Sequence, residues 1–120
     1  MATVNHTSSG KIGSAKDRAY VITWTSIPNG DQGDAVEMFG SADRSVQLGG
    51  TFSTGGSVTI EGSNDGTNYV ALKDPQGNAI TKTAGAIEMV TELTRYIRPN
   101  VTAGDGSTAI TVSLFVKGSI

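Results

Sequence analysis

The sequence has no cysteine and a single histidine, His6. Without thiols there is no disulfide framework, thiolate metal site or cysteine nucleophile, and one imidazole cannot make a histidine cluster. With no cysteine and the one histidine in the polar arm of residues 1–18, the usual Ser-His and Cys-His nucleophilic arrangements are not expected. Charge is also scarce: 17% of residues are charged, nine basic against eleven acidic, for a net charge of -2. The basic residues are scattered, so no electrostatic footprint for nucleic acid exists. No stretch approaches the roughly 18 apolar residues needed to cross a bilayer. Residues 1–18 lack the apolar region of a secretion signal. The expectation is a chain made in the cytoplasm that leaves it only inside an assembly, with neither nucleic acid nor membrane as partner.

What carboxylates there are read as surface or turn residues. Asp31 with Asp34, and Glu88 with Glu92, fit solvated loop and strand charges better than acid–base pairs. Asn64, Asp65 and Gly66, and likewise Asp105 and Gly106, lack the spacing of a calcium loop and match tight turns. No catalytic residue, cofactor or metal is assigned, and the chain is not expected to be an enzyme.

Glycine is plentiful, at 16 residues, and strong helix formers are few. The expected class is all-β, and 120 residues suit one domain. Residues 1–18 are polar and aperiodic and read as an extended N-terminal arm that buries little by itself. Residues 19–120 read as a single antiparallel β-sandwich of about eight strands, with turn signals about every ten residues. Strands are expected at 20–25, weakly at 35–39, at 44–52, 57–61 and 69–73, at a short edge over 79–82, and at 86–93, 95–101 and 109–116. Residues 86–93 are ambiguous, because Ile87, Met89, Thr91 and Leu93 alternate while Met89, Val90 and Leu93 also share a helical face. The strands at 44–52 and 57–61 are expected to form a hairpin across 53–56. Pro99 lacks an N–H and predicts a bulge or a nearby edge. Ile110, Val112, Leu114 and Val116 form one unbroken stripe and predict a central core strand. Most aromatic residues are expected in the core. Phe115 lies opposite the stripe and, beside Lys117, is the best outward aromatic for a protein interface.

Residues 57–72, SVTIEGSNDGTNYVAL, followed by TRYIRP at 94–99, resemble two kinds of jelly-roll-like β-sandwich. The first is a group of small virion proteins of tailed bacteriophages. There a Trp strand, an "ADR-x-VQ" strand like residues 42–47, the "GSNDGTN" hairpin and an "RYIRP" strand occur in this order, so the likeness spans about residues 20–117. The second is the discoidin or F5/8-type carbohydrate- and lipid-binding domain, whose "SNDG-x-x-W" hairpin and "ARY" strand match only about residues 57–101. This chain has Tyr69 in place of that Trp and no cysteine pair.

The phage resemblance implies a jelly-roll-like capsid decoration or cement protein. Such a protein binds the outside of the major capsid protein shell, stabilises it, and associates as a dimer or trimer on the virion surface. A discoidin-like carbohydrate-binding module and a tail or baseplate component are the alternatives. Under the phage reading, partner contacts are expected from the arm, including Asn5, His6, Lys11 and Lys16, and from the loop holding Asn29, Asp31 and Asp34. Arg44 and Arg98 are expected to pair with capsid carboxylates, and Phe115 to pack on the partner.

Overall fold

A computed structural model describes residues 2–10, 12, 17–38 and 43–119. Among these lie β1 (Thr3–Val4), β2 (Thr7–Ser8), β3 (Asp17–Ile27), β4 (Gln32–Gly33), β5 (Val36–Glu37), β6 (Asp43–Thr51), β7 (Ser57–Ser63), β8 (Val70–Ala71), β9 (Thr81–Lys82), β10 (Ala86–Met89), β11 (Tyr96–Ala103) and β12 (Ala109–Ser119). They form two sheets. One has the order β1-β4-β11-β7-β8, with β5 also on β11 and β9 on β7; the other has the order β10-β6-β12-β3-β2. The all-β sandwich expected from the sequence is therefore present. Its pairings are antiparallel except for β1 on β4, which is parallel. The strand count exceeds eight because β1, β2 and β4, with two residues each, lie outside the expected strands and are too short for alternation to register, whereas β5, β8 and β9 fall within those expected at 35–39, 69–73 and 79–82.

The core lies between the sheets. Val46 and Leu48 of β6, Ile110, Val112, Leu114 and Val116 of β12, and Ile22 and Trp24 of β3 face Val58 and Ile60 of β7 and Ile97 and Val101 of β11. β12 is flanked by β3 and β6, as its apolar stripe requires. Burying each of these aliphatic side chains contributes about 1.5–3 kcal/mol.

The expected hairpin between residues 44–52 and 57–61 is not formed. β6 pairs with β10 and β12, whereas β7 pairs with β8, β9 and β11, so residues 52–57 arch from one sheet to the other. Ser53 at φ 57° and Gly55 at φ 73° reverse the chain there. The sequence misleads for a physical reason. Two strands facing each other across a core present the same one-sided apolar pattern as two neighbours in one sheet.

Residues 86–93 also differ from expectation. Only Ala86–Met89 is strand, and its apolar parity points outward, with Ile87 and Met89 exposed and Val90 turned inward. Pro99 lies in an interior strand, β11, whose register shifts between Val101 and Ala103. Val101 N donates to Asp31 O and Arg95 O accepts from Met38 N. By alternation Pro99 therefore aims its nitrogen at the same side, into the break where β4 has ended at Gly33 and β5 has not begun at Val36. The missing donor costs no ladder bond there.

The N-terminal segment lies against its own domain. β1 extends one sheet beside β4 and β2 extends the other beside β3, so residues 3–8 span both layers. Ile12 bridges Ala19 farther along β3. The segment that composition leaves without a core of its own gains order from backbone pairing to two sheet edges, and among its described residues Val4 packs on the core.

Candidate interaction surfaces

The N-terminal pairing is pinned by the loop that the sequence reading joins to it as a partner surface. Asp31 Oδ1 accepts the Ala2 amide at 3.0 Å. Asp34 does more: Oδ1 accepts the His6 amide at 2.8 Å and the Trp24 indole N–H at 2.9 Å, while Oδ2 lies 2.7 Å from His6 Nδ1. The main chain joins in, since Asp34 N donates to Val4 O and Asp34 O accepts a second bond from Trp24 Nε1. The His6 and Trp24 rings pack at 6.2 Å, tilted by 60°. Thus His6 meets Asp34 and Ala2 meets Asp31 within the chain, while Asn5 stays exposed between β1 and β2. Asn29 caps a neighbouring turn, its Nδ2 donating to Gly104 O at 3.1 Å. Lys11 and Lys16 lie outside the described residues.

The two arginines have different surroundings. Arg44 is buried, and its Nη2 donates to Thr94 O at 2.8 Å with Nη1 near Thr94 Oγ1 at 3.4 Å. Burial pushes its guanidinium pKa down. Its place is inside, holding the 90–95 segment, away from the surface where a capsid carboxylate would meet it. Arg98 lies on the outer face of the seven-stranded sheet, its Nε 2.9 Å from Glu61 Oε1 and its guanidinium 3.7 Å above the Tyr69 ring. Arg95 pairs with Glu37 and stacks over Tyr96 at 5.1 Å. Tyr69 and Tyr96 are therefore half-buried beneath cations rather than in the core, and each has a guanidinium on one ring face.

The matched hairpin owes its shape to one carboxylate. Asp65 Oδ1 accepts the Thr67 and Asn68 amides and the Ser63 hydroxyl, each at 2.8 Å, and Oδ2 accepts Asn68 Nδ2 at 2.8 Å. These bonds, the Asn68 amide foremost, hold the carboxyl pKa well below the usual range. Both carboxylate oxygens are thus consumed by the turn itself. No group of three or more potential metal ligands occurs among the described residues.

The outer face of the five-stranded sheet has a different character. Met89 of β10, Ser45 of β6, Phe115 of β12 and Val21 of β3 stand in one register row across four strands. Phe115 is 40% exposed, Met89 51% and Ile87, two residues from Met89, 67%. Lys117 and Asp43 are directly opposite each other one pleat away. The small Ser45 side chain between Met89 and Phe115 leaves a shallow hollow of about 300 Å³.

No protein-family model and no curated protein matches the sequence. The chain is similar in fold to a solved structure, the SPBc2 prophage-derived protein YomS. The TM-score is 0.66 at 11% identity, over 90% of this chain and 100% of that one. At that identity the likeness is one of fold. An RmlC-like cupin protein from Desulfovibrio desulfuricans aligns with a TM-score of 0.41 at 9% identity, over 93% of this chain and 82% of that chain, too low to carry an argument.

Sequence reasoning found Phe115 because its parity opposes a strong stripe. It missed Met89 and Ile87, whose exposure depends on the sheet neighbours they acquire, and the half-buried Val21 beside Phe115. The apolar alternation of residues 86–93 was the available signal, but alternation does not say which side faces the core.

Proposed function

We propose that the protein is a structural component of a tailed-phage virion, most specifically a decoration protein. It binds the outer surface of the major capsid shell as a small symmetric oligomer and stabilises it. The observation that carries this reading is the likeness in fold, over 90% of this chain, to a prophage-derived protein, joined to the resemblance of residues 20–117 to small virion proteins. The architecture suits the role. Its sandwich has one lateral side sealed by its own N-terminal segment and another tied by the Lys82–Glu88 ion pair between β9 and β10, at 2.7 Å. Sealed sides leave the broad outer faces as the surfaces for docking.

The test mixes purified full-length protein with expanded phage heads lacking a decoration layer, then measures co-sedimentation and head survival on heating. Saturable binding with raised heat resistance is the expected result. Absence of binding to heads of the phage that encodes the protein would overturn the capsid reading and turn attention to its tail or baseplate.

A further inference from the structure

The apolar row on the five-stranded sheet combines a projection with a recess. Phe115 stands out of the face, and the hollow beside it, over Ser45, is walled by Met89, Asp43 and Lys117. A two-fold symmetric contact requires one patch to supply both halves of every interaction. This patch does so twice. It has an aromatic knob and a hole with room for one ring, and it has one acid and one base, Asp43 and Lys117, in directly opposed positions. The neighbouring register row, Ile87, Gln47, Ser113 and Thr23, holds no charged residue. A partner of one charge sign would leave either Asp43 or Lys117 against its own sign, whereas a second copy turned by 180° matches both.

The size is adequate. The five strands have 4, 9, 11, 11 and 2 residues in sheet order, and at roughly 4.8 by 3.4 Å for each residue they give a face of about 600 Å². Two such faces bury about 1,200 Å², the lower end for a specific dimer.

We propose that this face is an isologous interface between two copies of the chain. Each Phe115 seats in the hollow over the other copy's Ser45, and each Lys117 lies against the other copy's Asp43. This deepens the oligomeric part of the virion reading and is tested without heads, so either can fail alone.

The experiment is sedimentation equilibrium of the full-length protein from ~1 to ~200 µM, a range that brackets the roughly micromolar Kd typical of small interfaces. The wild type is expected to follow a monomer–dimer equilibrium. Phe115→Thr keeps a strand-forming residue at an exposed position and should weaken dimerisation at least tenfold, with a melting profile unchanged at dilution below the dimer Kd, where association no longer adds to stability. Lys117→Glu makes the charged pair wholly acidic and Asp43→Lys makes it wholly basic. Each variant alone should be monomeric, and an equimolar mixture should form heterodimers. That rescue on mixing is not produced by a merely structural role, and it does not depend on the Phe115 variant. A wild type that stays monomeric or forms only trimers, a Phe115→Thr protein that dimerises undiminished, or a mixture that stays monomeric would each overturn the proposal.

Discussion

His6 Nδ1 lies 2.7 Å from Asp34 Oδ2, on a carboxylate whose other oxygen accepts the indole N–H of the fully buried Trp24. One side chain thus links the N-terminal segment to the core. The carboxylate, an acceptor, takes the hydrogen carried on Nδ1, which fixes the tautomer. Asp34→Ala removes three of these bonds while Trp24 keeps the Asp34 carbonyl at 3.0 Å. The expected cost is about 1–3 kcal/mol, seen as a lower Tm and faster protease nicking before Asp17. Asp34→Asn retains an acceptor oxygen and should lose less than half as much. Equal Tm and nicking for Asp34→Ala and wild type would show that the backbone pairing alone holds the segment.

Gly33 is set where no side chain fits. A Cβ there would stand 2.5 Å from Trp24 Cδ1 and 2.7 Å from Pro99 Cδ. Gly33→Ala is expected to destabilise by about 1–3 kcal/mol through displacement of the indole or the proline ring, with a change in tryptophan fluorescence. Gly49→Ala in β6 is the control, because no atom lies within 4 Å of its Cβ position. It should be neutral or slightly stabilising. Similar Tm values for the two variants would mean that the Trp24 pocket is looser than these contacts allow.

The class of fold was legible because β12 and β6 state their parity without interruption, and the turn at Asn64 to Asn68 has the residues its hydrogen bonds use. Sheet membership was not legible. Val46 and Leu48 look the same to a pattern reader whether Val58 and Ile60 lie beside them or across the core, and here they lie across it. The interaction surfaces were legible in pieces. His6, Asp31 and Asp34 carried a local signal as polar loop and arm residues, but only the fold sets His6 on Asp34 and Ala2 on Asp31 across nearly thirty positions. Arg44 misled because arginine is usually exposed, whereas β6 here turns it inward to a carbonyl that needs a donor.

That inward arginine gives the next expectation. Arg44→Ala leaves Thr94 O without this donor and removes the apolar stem packed around it. A loss of about 2–4 kcal/mol is expected. Arg44→Lys offers a point charge in place of the planar fork that reaches both Thr94 oxygens and should recover only part of the loss. The measurement is chemical denaturation, with hydrogen exchange at residues 90–95 as a local readout. If Arg44→Ala unfolds at the wild-type denaturant concentration, the guanidinium is not a structural tie.

Acid should act through the turns. The Asn68 amide, with the Thr67 amide and the Asn68 and Ser63 side chains, favours the charged Asp65 carboxylate, and the Ser107 amide does the same for Asp105. Both pKa values are lowered on folding. The stability these groups contribute is therefore fully present above the unfolded carboxyl value of about 3.9 and is lost as pH falls through the lower folded values. Tm should hold a plateau down to about pH 5 and decline below about pH 4. Asp65→Asn and Asp105→Asn should lower the neutral-pH Tm while making the acid decline shallower, since each removes one group that must be protonated. Thermal melts of the three proteins between pH 2 and pH 7 decide this. Mutant curves that run parallel to the wild type through the acid range would place the acid sensitivity in other carboxylates.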